Sequence, residues 1–486
     1  MPNSPEGIMS VYAVNLIGAI GNMVHPLSSE NEIEMFLNLS ESKFVITIDL
    51  VLDKFIDLMP STKVEKIVYA TAVEDMPVVM QTLYYLKSGR KIKVPKDKNI
   101  VSWKSFMKEN RIFDESYRAN TGAADPALIL YSGGTTGKPK GILLSNQNLN
   151  SVAMGSYLMA DPAKEGDSVL SILPIFHGFG LAVCIHTPLS RGMKCILIPA
   201  FKARDFVPLV KKYKPNFLAG VPTLFESLLS SPFGEKDLEC VTCAISGGDL
   251  LLPELKYKVD DFLHAHGSTA KVRQGYGLTE GTGASCLTPS EVYKPGTIGI
   301  PYPDTYYKIV KMGTHDEAET GTDGEICISG PMVMMGYVKD EAETMQVLRE
   351  HEDGKIWLHT GDIGSMDETG FVFFKQRLKR IIISSGYNIY PSYIENVLNA
   401  HPAILTSTVI GIDHPYKQQV AKAFIVLKEG IEATDELKKE IKKHCEQNIS
   451  KFSLPYEYEY RESLPRTLVG KVAFRELEKE EKEKNK

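Results

Sequence analysis

Leu130–Gly141 reads LYSGGTTGKPKG. The apolar run Ala127–Tyr131 (ALILY) leads into Ser132, and then into Gly133, Gly134, Thr135, Thr136, Gly137, Lys138, Pro139 and Lys140. Glycines let backbone N–H groups approach an anion closely, and the hydroxyls of Ser132, Thr135 and Thr136 add donors. Two lysines supply positive charge. A strand that ends in such a loop wraps phosphate oxygens; plain surface turns seldom combine hydroxyls, glycines and lysines this densely. It is not a Walker A loop, because Ser132 stands where the first glycine belongs and Pro139 follows Lys138.

Outward from this loop, short β-branched runs alternate with longer amphipathic stretches. Phe44–Ile48 (FVITI), Lys66–Tyr69 (KIVY), Cys195–Ile198 (CILI) and Phe424–Leu427 (FIVL) read as strands; Phe206–Lys214 and Pro222–Leu229 read as helices. The alternation predicts an α/β fold with largely parallel sheets. After about residue 320 the texture changes, and Glu325–Ser329 and Phe371–Phe374 predict antiparallel hairpins. The charged run Gln376–Arg380 (QRLKR) is read as a junction, which divides the chain into a large domain over 1–378 and a small α+β domain over 379–486. Glu476–Lys486, nearly all Glu and Lys, is expected to be a frayed, solvated tail.

Composition removes several classes of function. The chain has 486 residues, is 43% hydrophobic and 24% charged, and carries a formal charge of −6; its mean hydropathy is −0.13. That length allows two to four domains at roughly 100–200 residues each. The negative charge argues against non-specific binding to nucleic acid. No apolar run approaches the roughly 18 residues of a spanning helix: the best candidate, Ser10–Val24, is broken by Asn15 and Asn22 and lacks the charged start of a signal peptide. Seven irregularly spaced cysteines do not make a disulfide framework. A cytoplasmic enzyme is therefore expected. Cys240 and Cys243 resemble half a zinc knuckle, without a second pair at the right spacing. There is no H-E-x-x-H and no G-x-S-x-G.

Four further segments carry chemistry. In Gln274–Glu280 (QGYGLTE), Gly275 and Gly277 flank Tyr276, whose ring can stack on a purine. Thr279 can hold an α-phosphate, and Glu280 is a hard oxygen ligand suited to Mg²⁺. In Trp357–Asp362 (WLHTGD), a carboxylate after a Thr-Gly turn can accept from both ribose hydroxyls. Arg377–Tyr390 (RLKRIIISSGYNIY) follows, and Pro465–Lys471 (PRTLVGK) ends in a lysine on an extended loop.

Together with the loop at 130–141, these motifs resemble, in order and over essentially the whole chain, the adenylate-forming superfamily of acyl-CoA synthetases, peptide-synthetase adenylation domains and firefly-type luciferases. The resemblance implies a large N-terminal domain of α/β subdomains with a small β-barrel-like part, followed by a small mobile α+β C-terminal domain. It assigns ATP or AMP contacts to Ser132, Gly133, Gly134, Thr135, Thr136, Gly137, Lys140, Gly247, Gly248, Gly275, Tyr276, Gly277, Asp362 and Arg377, and Mg²⁺ to Glu280 and Thr136. Lys471, Glu280, Thr279 and His177 become the catalytic set. Lys379 becomes a hinge about which the small domain rotates, replacing the Lys471 loop with Ser384–Asn388; there Ser385, Gly386, Tyr387 and Asn388 would receive the arm of coenzyme A.

Substrate class follows from Pro174–Gly180 (PIFHGFG). Amino-acid-activating relatives carry an Asp after the Phe, whereas here Phe176 precedes His177, which matches a gate beside an acyl tunnel. Phe179, Val183, Ala219–Val221 and Gly281–Ala284 are apolar or small. The leading expectation is an ATP- and Mg²⁺-dependent ligase that joins a medium- or long-chain fatty acid to coenzyme A. An aromatic-acid CoA ligase and an acyl-AMP ligase loading a carrier protein are the alternatives. The expected partners are the acid, ATP and CoA, with no nucleic acid and no transmembrane segment; a homodimer is left open. Two departures stand out. Gln376 replaces a usual glycine and Arg380 a usual acidic residue beside the hinge. Met1–Pro26 resembles a helix that family members reach only after several earlier elements, so an internal start or a truncation is expected, bearing on stability more than on chemistry.

Overall fold

The computed structural model describes residues 1–74, 76–87, 89–109, 114–132, 139–161, 163–384, 387–449, 453–467 and 472–484; of Lys379, Tyr387 and Asn388 it describes the backbone alone. The chain forms two compact units, residues 1–307 with 328–358, and residues 308–327 with 359–486.

In the first unit, β-branched runs become buried parallel strands. Phe44–Ile48, Lys66–Ala70 and Ile100–Ser102 make a parallel sheet. The larger sheet orders its strands as Ile300–Pro301, Cys286–Leu287, Val272–Tyr276, Cys243–Ser246, Phe217–Gly220, Ser168–Ser171 and Lys194–Leu197. Its last five strands run parallel, and the first two close it antiparallel. Phe206, Val210, Phe225, Leu228, Val259 and Leu263 from three helices bury one face. These side chains recur at helical spacing, so each helix offers one apolar stripe to the sheet. A third sheet carries Pro126–Ser132 next to Lys140–Ser145, which brings Ser132 opposite Lys140 across the loop between them.

In the second unit, Ile356–Met366 and Val372–Arg377 form the expected antiparallel hairpin. Beyond it, Tyr387–Ile389, Ile382–Ser384, Gln418–Leu427 and Ile404–His414 form a sheet, with Glu457–Tyr460 added parallel to Gln418–Leu427. Helices Pro391–Asn399 and Asp435–Asn448 cover one face.

The other face corrects the reading of the C-terminal stretch. Phe474–Lys484 is a helix, not a frayed tail. Leu477 is fully buried with Ile410, Phe424, Val426 and Leu464, and Glu481 one turn on is 6% exposed. Glu481 meets the ammonium of Lys422 at 2.8 Å, and Lys422 also reaches Glu459 at 3.0 Å and Glu457 at 3.1 Å. One leucine and one carboxylate on the same helical face bind a run whose composition alone reads as solvated.

The α/β architecture is as expected. Among the described residues, no helix is long and apolar enough to cross a membrane.

Candidate active site

In the first unit, Phe217–Gly220, Cys243–Ser246 and Val272–Tyr276 are parallel neighbours, so their carboxyl ends open side by side. Loops after such ends are where open α/β sheets bind ligands. Here they carry Val221, Gly247-Gly248-Asp249 and Gly277–Glu280. The Gly247 N–H donates to Gly220 O at 3.0 Å. Gln274 ties the loop down: its Oε1 accepts from Leu251 N at 2.9 Å, and its Nε2 donates to Asp249 O at 3.2 Å. A Cβ on Gly277 would lie 2.3 Å from Gly283 O, so no side chain fits there. Gly283, at φ 97°, in turn lies against the backbone of Gly178. Backbone-to-backbone packing thereby brings the segment 174–180, with His177, against the turn that carries Thr279 and Glu280.

Glu280 sits in a 3₁₀ turn, Thr279–Gly281, held from behind by residues 332–337. Met334 N donates to Glu280 O at 2.9 Å, and Thr282 Oγ1 donates to Met332 O at 2.7 Å. The phenol of Tyr337 donates to Glu280 Oε1 at 3.1 Å. Burial, then the Glu280 charge, push the Tyr337 phenol well above its ordinary range, so it stays a donor. The Lys140 ammonium lies 4.7 Å from the centre of the Tyr337 ring and pairs with Glu343. A carboxylate, a neutral phenol and a partly buried lysine thus form one connected set beside the loop that Ser132 and Lys140 bracket. Oxygen donors of this kind suit a hard divalent cation.

His177 is half-buried, and its Nδ1 accepts from Phe179 N at 3.3 Å. In the neutral ring the proton is therefore on Nε2. The following residues, Phe179–His186, coil as a wide π-helix, a rare form that concentrates at functional sites. Between this helix, the end of helix Asn146–Met159 and the sheet lies a small apolar cavity of about 30 Å³. Tyr157, Val183, Met193, Phe217, Ala219 and Ile245 are among its lining residues.

In the second unit, Asp362 and Arg377 are cross-strand partners, and Arg377 Nε lies 3.3 Å from Asp362 Oδ1. The carboxylate side chain is 3% exposed and the guanidinium 55%. The turn before Asp362 is set by Glu325, whose Oε2 meets His359 Nδ1 at 2.8 Å and whose Oε1 accepts from Gly361 N at 3.0 Å. Thr360 Oγ1 donates to Ile326 O at 2.7 Å and accepts from Asp362 N at 3.0 Å. Glu325, Cys327 and His359 bring ligand-type atoms within 4.8 Å of one another; both Glu325 oxygens already serve the turn, so the cluster reads as positioning. Glu325→Ala strands two buried polar groups and is expected to cost about 2 kcal/mol or more, read by thermal unfolding; Glu325→Gln, which keeps an acceptor, should cost less.

The AMP-binding enzyme family matches residues 1–338, and the AMP-binding enzyme C-terminal domain matches residues 393–471. The chain is an AMP-binding enzyme. It is 35% identical, over 99% of its length and 85% of the relative's, to a long-chain-fatty-acid–CoA ligase of Bacillus subtilis (strain 168). A long-chain-fatty-acid–CoA ligase of Haemophilus influenzae is 30% identical over 99% of this chain and 84% of its own. Among solved structures, the ATP-bound RpMatB-BxBclM chimera B1 superposes with a TM-score of 0.83 at 25% identity, covering 99% of this chain and 88% of that one.

Against the family's motifs, the first unit brings together Ser132, Lys140, Gly247, Gly248, Gly275, Tyr276, Gly277, Thr279, Glu280 and His177; the second unit holds Asp362 and Arg377. Gly133, Gly134, Thr135, Thr136, Gly137, Ser385, Gly386 and Lys471 lie outside the described residues, and Lys379, Tyr387 and Asn388 are placed by backbone only. Burial pushes the Cys243 thiol up to about 11 and raises that of Cys240. Among the described residues, no metal-binding group includes either cysteine. Sequence reasoning missed Tyr337, Glu343 and Glu325. The Gly336-Tyr337 pair and the acidic start of Gly324–Ser329 were visible, but nothing local says which distant group each one meets. Arg380, next to the expected hinge, is held inside the second unit by Glu395, by Val409 O at 3.2 Å and by the ring of Phe474 at 4.8 Å.

Proposed function

We propose that this AMP-binding enzyme is an AMP-forming long-chain fatty acid–CoA ligase. The observation that carries the reading is full-length likeness to long-chain-fatty-acid–CoA ligases, 35% identical over 99% of the chain. The site chemistry agrees with it. A fatty-acid carboxylate oxygen attacks the α-phosphorus of ATP, the Pα–O bond to the β-phosphate breaks, and pyrophosphate leaves. The thiolate of CoA then attacks the acyl carbon, and the acyl C–O bond to AMP breaks.

The residues take roles in that sequence. Gly247, Gly248 and Tyr276 bound the purine, and Asp362 and Arg377 take the ribose hydroxyls. Ser132, Thr135, Thr136 and Lys140, with the glycines of the loop, hold the phosphates. Glu280 and Thr136 would be the oxygen donors for Mg²⁺, whose charge would offset that of the triphosphate. Thr279 orients the α-phosphate. His177, its tautomer set by Phe179 N, takes the role of a gate beside the acyl tail. Lys471 bridges acid and α-phosphate in the first step. Rotation about Lys379, with the small domain beginning there, brings Ser385–Asn388 to the CoA arm for the second.

The test is acid-dependent exchange of labelled pyrophosphate into ATP, across fatty, aromatic and amino acids, followed by CoA consumption. Exchange with long-chain acids such as palmitate, and thioester formation with CoA, is the expected outcome. Exchange with benzoate or coumarate alone would move the reading to an aromatic-acid ligase. Exchange without CoA consumption would point to a carrier-protein acceptor.

A further inference from the structure

Arg380 stands directly after Lys379, where an acidic residue is usual, and three elements of the second unit hold it. Its guanidinium pairs through both terminal nitrogens with Glu395 on helix Pro391–Asn399, Nη1 lying 3.4 Å from Oε2. Nη2 also donates to Val409 O at 3.2 Å. Glu395 is itself seated, because its Oε1 accepts from Thr408 Oγ1 at 2.9 Å and from Val409 N at 2.8 Å. The third contact is aromatic: the guanidinium carbon lies 4.8 Å from the centre of the Phe474 ring. An acidic side chain at 380 would face the Glu395 carboxylate and the negative face of that ring, and both would repel it. Arginine suits both partners, since its planar fork matches a carboxylate and its flat face stacks on a ring.

Phe474 connects this contact to the proposed chemistry. It opens helix Phe474–Lys484 and packs against the cluster of Ile410, Phe424, Val426, Leu464 and Leu477. Lys471 stands three residues before it. Between the two, Ala473 N donates to Pro465 O at 2.8 Å, and Val472 forms an antiparallel bridge with Arg466. These pairings close the base of the segment that carries Lys471, and Phe474 fastens that base to the residue after the expected hinge. We infer that Arg380 is a positioning residue for Lys471: by holding Phe474 it ties the base of the lysine segment to the hinge, so that rotation about Lys379 carries helix and lysine as one body. Arg380 acts through Phe474 and not on the reacting atoms. The inference deepens the proposed function and rests on its assignment of Lys471 to the first half-reaction.

The two half-reactions, measured separately in the full chain, test it. Phe474→Leu keeps an apolar side chain in the cluster and leaves the Arg380–Glu395 pair intact, but removes the ring face. Arg380→Lys keeps the charge beside Glu395 and loses the flat fork. Each should lower kcat for acid-dependent pyrophosphate exchange about 10- to 100-fold, the scale of loss when a reacting group shifts by up to about 1 Å. KM for ATP and for the acid should change little, because binding contacts are untouched. Transfer of the acyl group from preformed acyl-adenylate to CoA should stay close to wild type. In the Lys471→Ala background neither substitution should slow exchange further, since the group they position is gone. Equal losses in both half-reactions would overturn the inference, as would unchanged exchange or a further loss in the Lys471→Ala background. If Lys471→Ala itself leaves exchange intact, the proposed role of that lysine fails first and takes the inference with it.

Discussion

Lys471→Ala is expected to slow acid-dependent pyrophosphate exchange about 100- to 1000-fold, the loss that follows removal of one preorganised donor to developing negative charge. Transfer of the acyl group from preformed acyl-adenylate to CoA should stay close to wild type. The contrast follows from where charge builds up. In the first step an anionic carboxylate meets an anionic phosphate, and a fixed ammonium between them offsets repulsion that peaks in the transition state. In the second step the adenylate is already neutral at the acyl carbon, and the thiolate brings the charge from another side. Measuring the two half-reactions separately distinguishes this role from general damage. Equal losses in both steps would assign Lys471 to structure or to nucleotide binding. Lys471→Arg, which keeps the charge but changes its reach and shape, should recover only part of the first step.

Lys422→Met should destabilise the second unit by about 3–5 kcal/mol, the range for removing one partner of a buried ion pair. The Lys422 side chain is 8% exposed and faces Glu457, Glu459 and Glu481, of which Glu481 is also 8% exposed. Methionine fills similar volume but takes from Glu457, Glu459 and Glu481 the cation they share, leaving Arg461 and Lys484 at the rim to offset Glu459 and Glu481. Helix Phe474–Lys484 should fray first, since Glu481 and Leu477 are its buried residues. Hydrogen exchange over 474–484 would show it.

The pH dependence carries a sign. Burial raises the Glu459 carboxyl, but its bonds to Lys422 and Arg461 outweigh that and bring it down to about 2, and Lys422 and Lys484 likewise lower Glu481. A carboxylate depressed in the folded state contributes stability above its unfolded value near 4.5. That contribution is lost as pH falls from there toward 2. Wild type should therefore lose stability across this window. In Lys422→Met the deficit should narrow over the same window, because protonated carboxyls no longer repel. A deficit constant from pH 7 to pH 3 would refute the electrostatic account.

Much of the molecule was legible without tertiary structure. Phe44–Ile48 and Pro222–Leu229 begin and end where their apolar patterns do, since strand and helix periodicities are local properties of the chain. The glycine loop, QGYGLTE and WLHTGD were recognisable because phosphate, purine and ribose chemistry each demand a few residue types close together in sequence. That sufficed for the family.

What the sequence by itself determined, then, is the set of chemical groups and the order of the elements that present them. Tertiary structure decided which groups meet. Tyr337 finds Glu280 57 residues away, and Lys422 finds Glu481 at a separation of 59. Glu325 sets the turn before Asp362 from 36 residues upstream of Gly361. The same holds for burial. Composition assigns the Lys- and Glu-rich C-terminal stretch to solvent, and the fold buries Leu477 and Glu481 within it. Whether a side chain is covered depends on what the rest of the chain lays over it, and neighbours along the sequence carry no record of that.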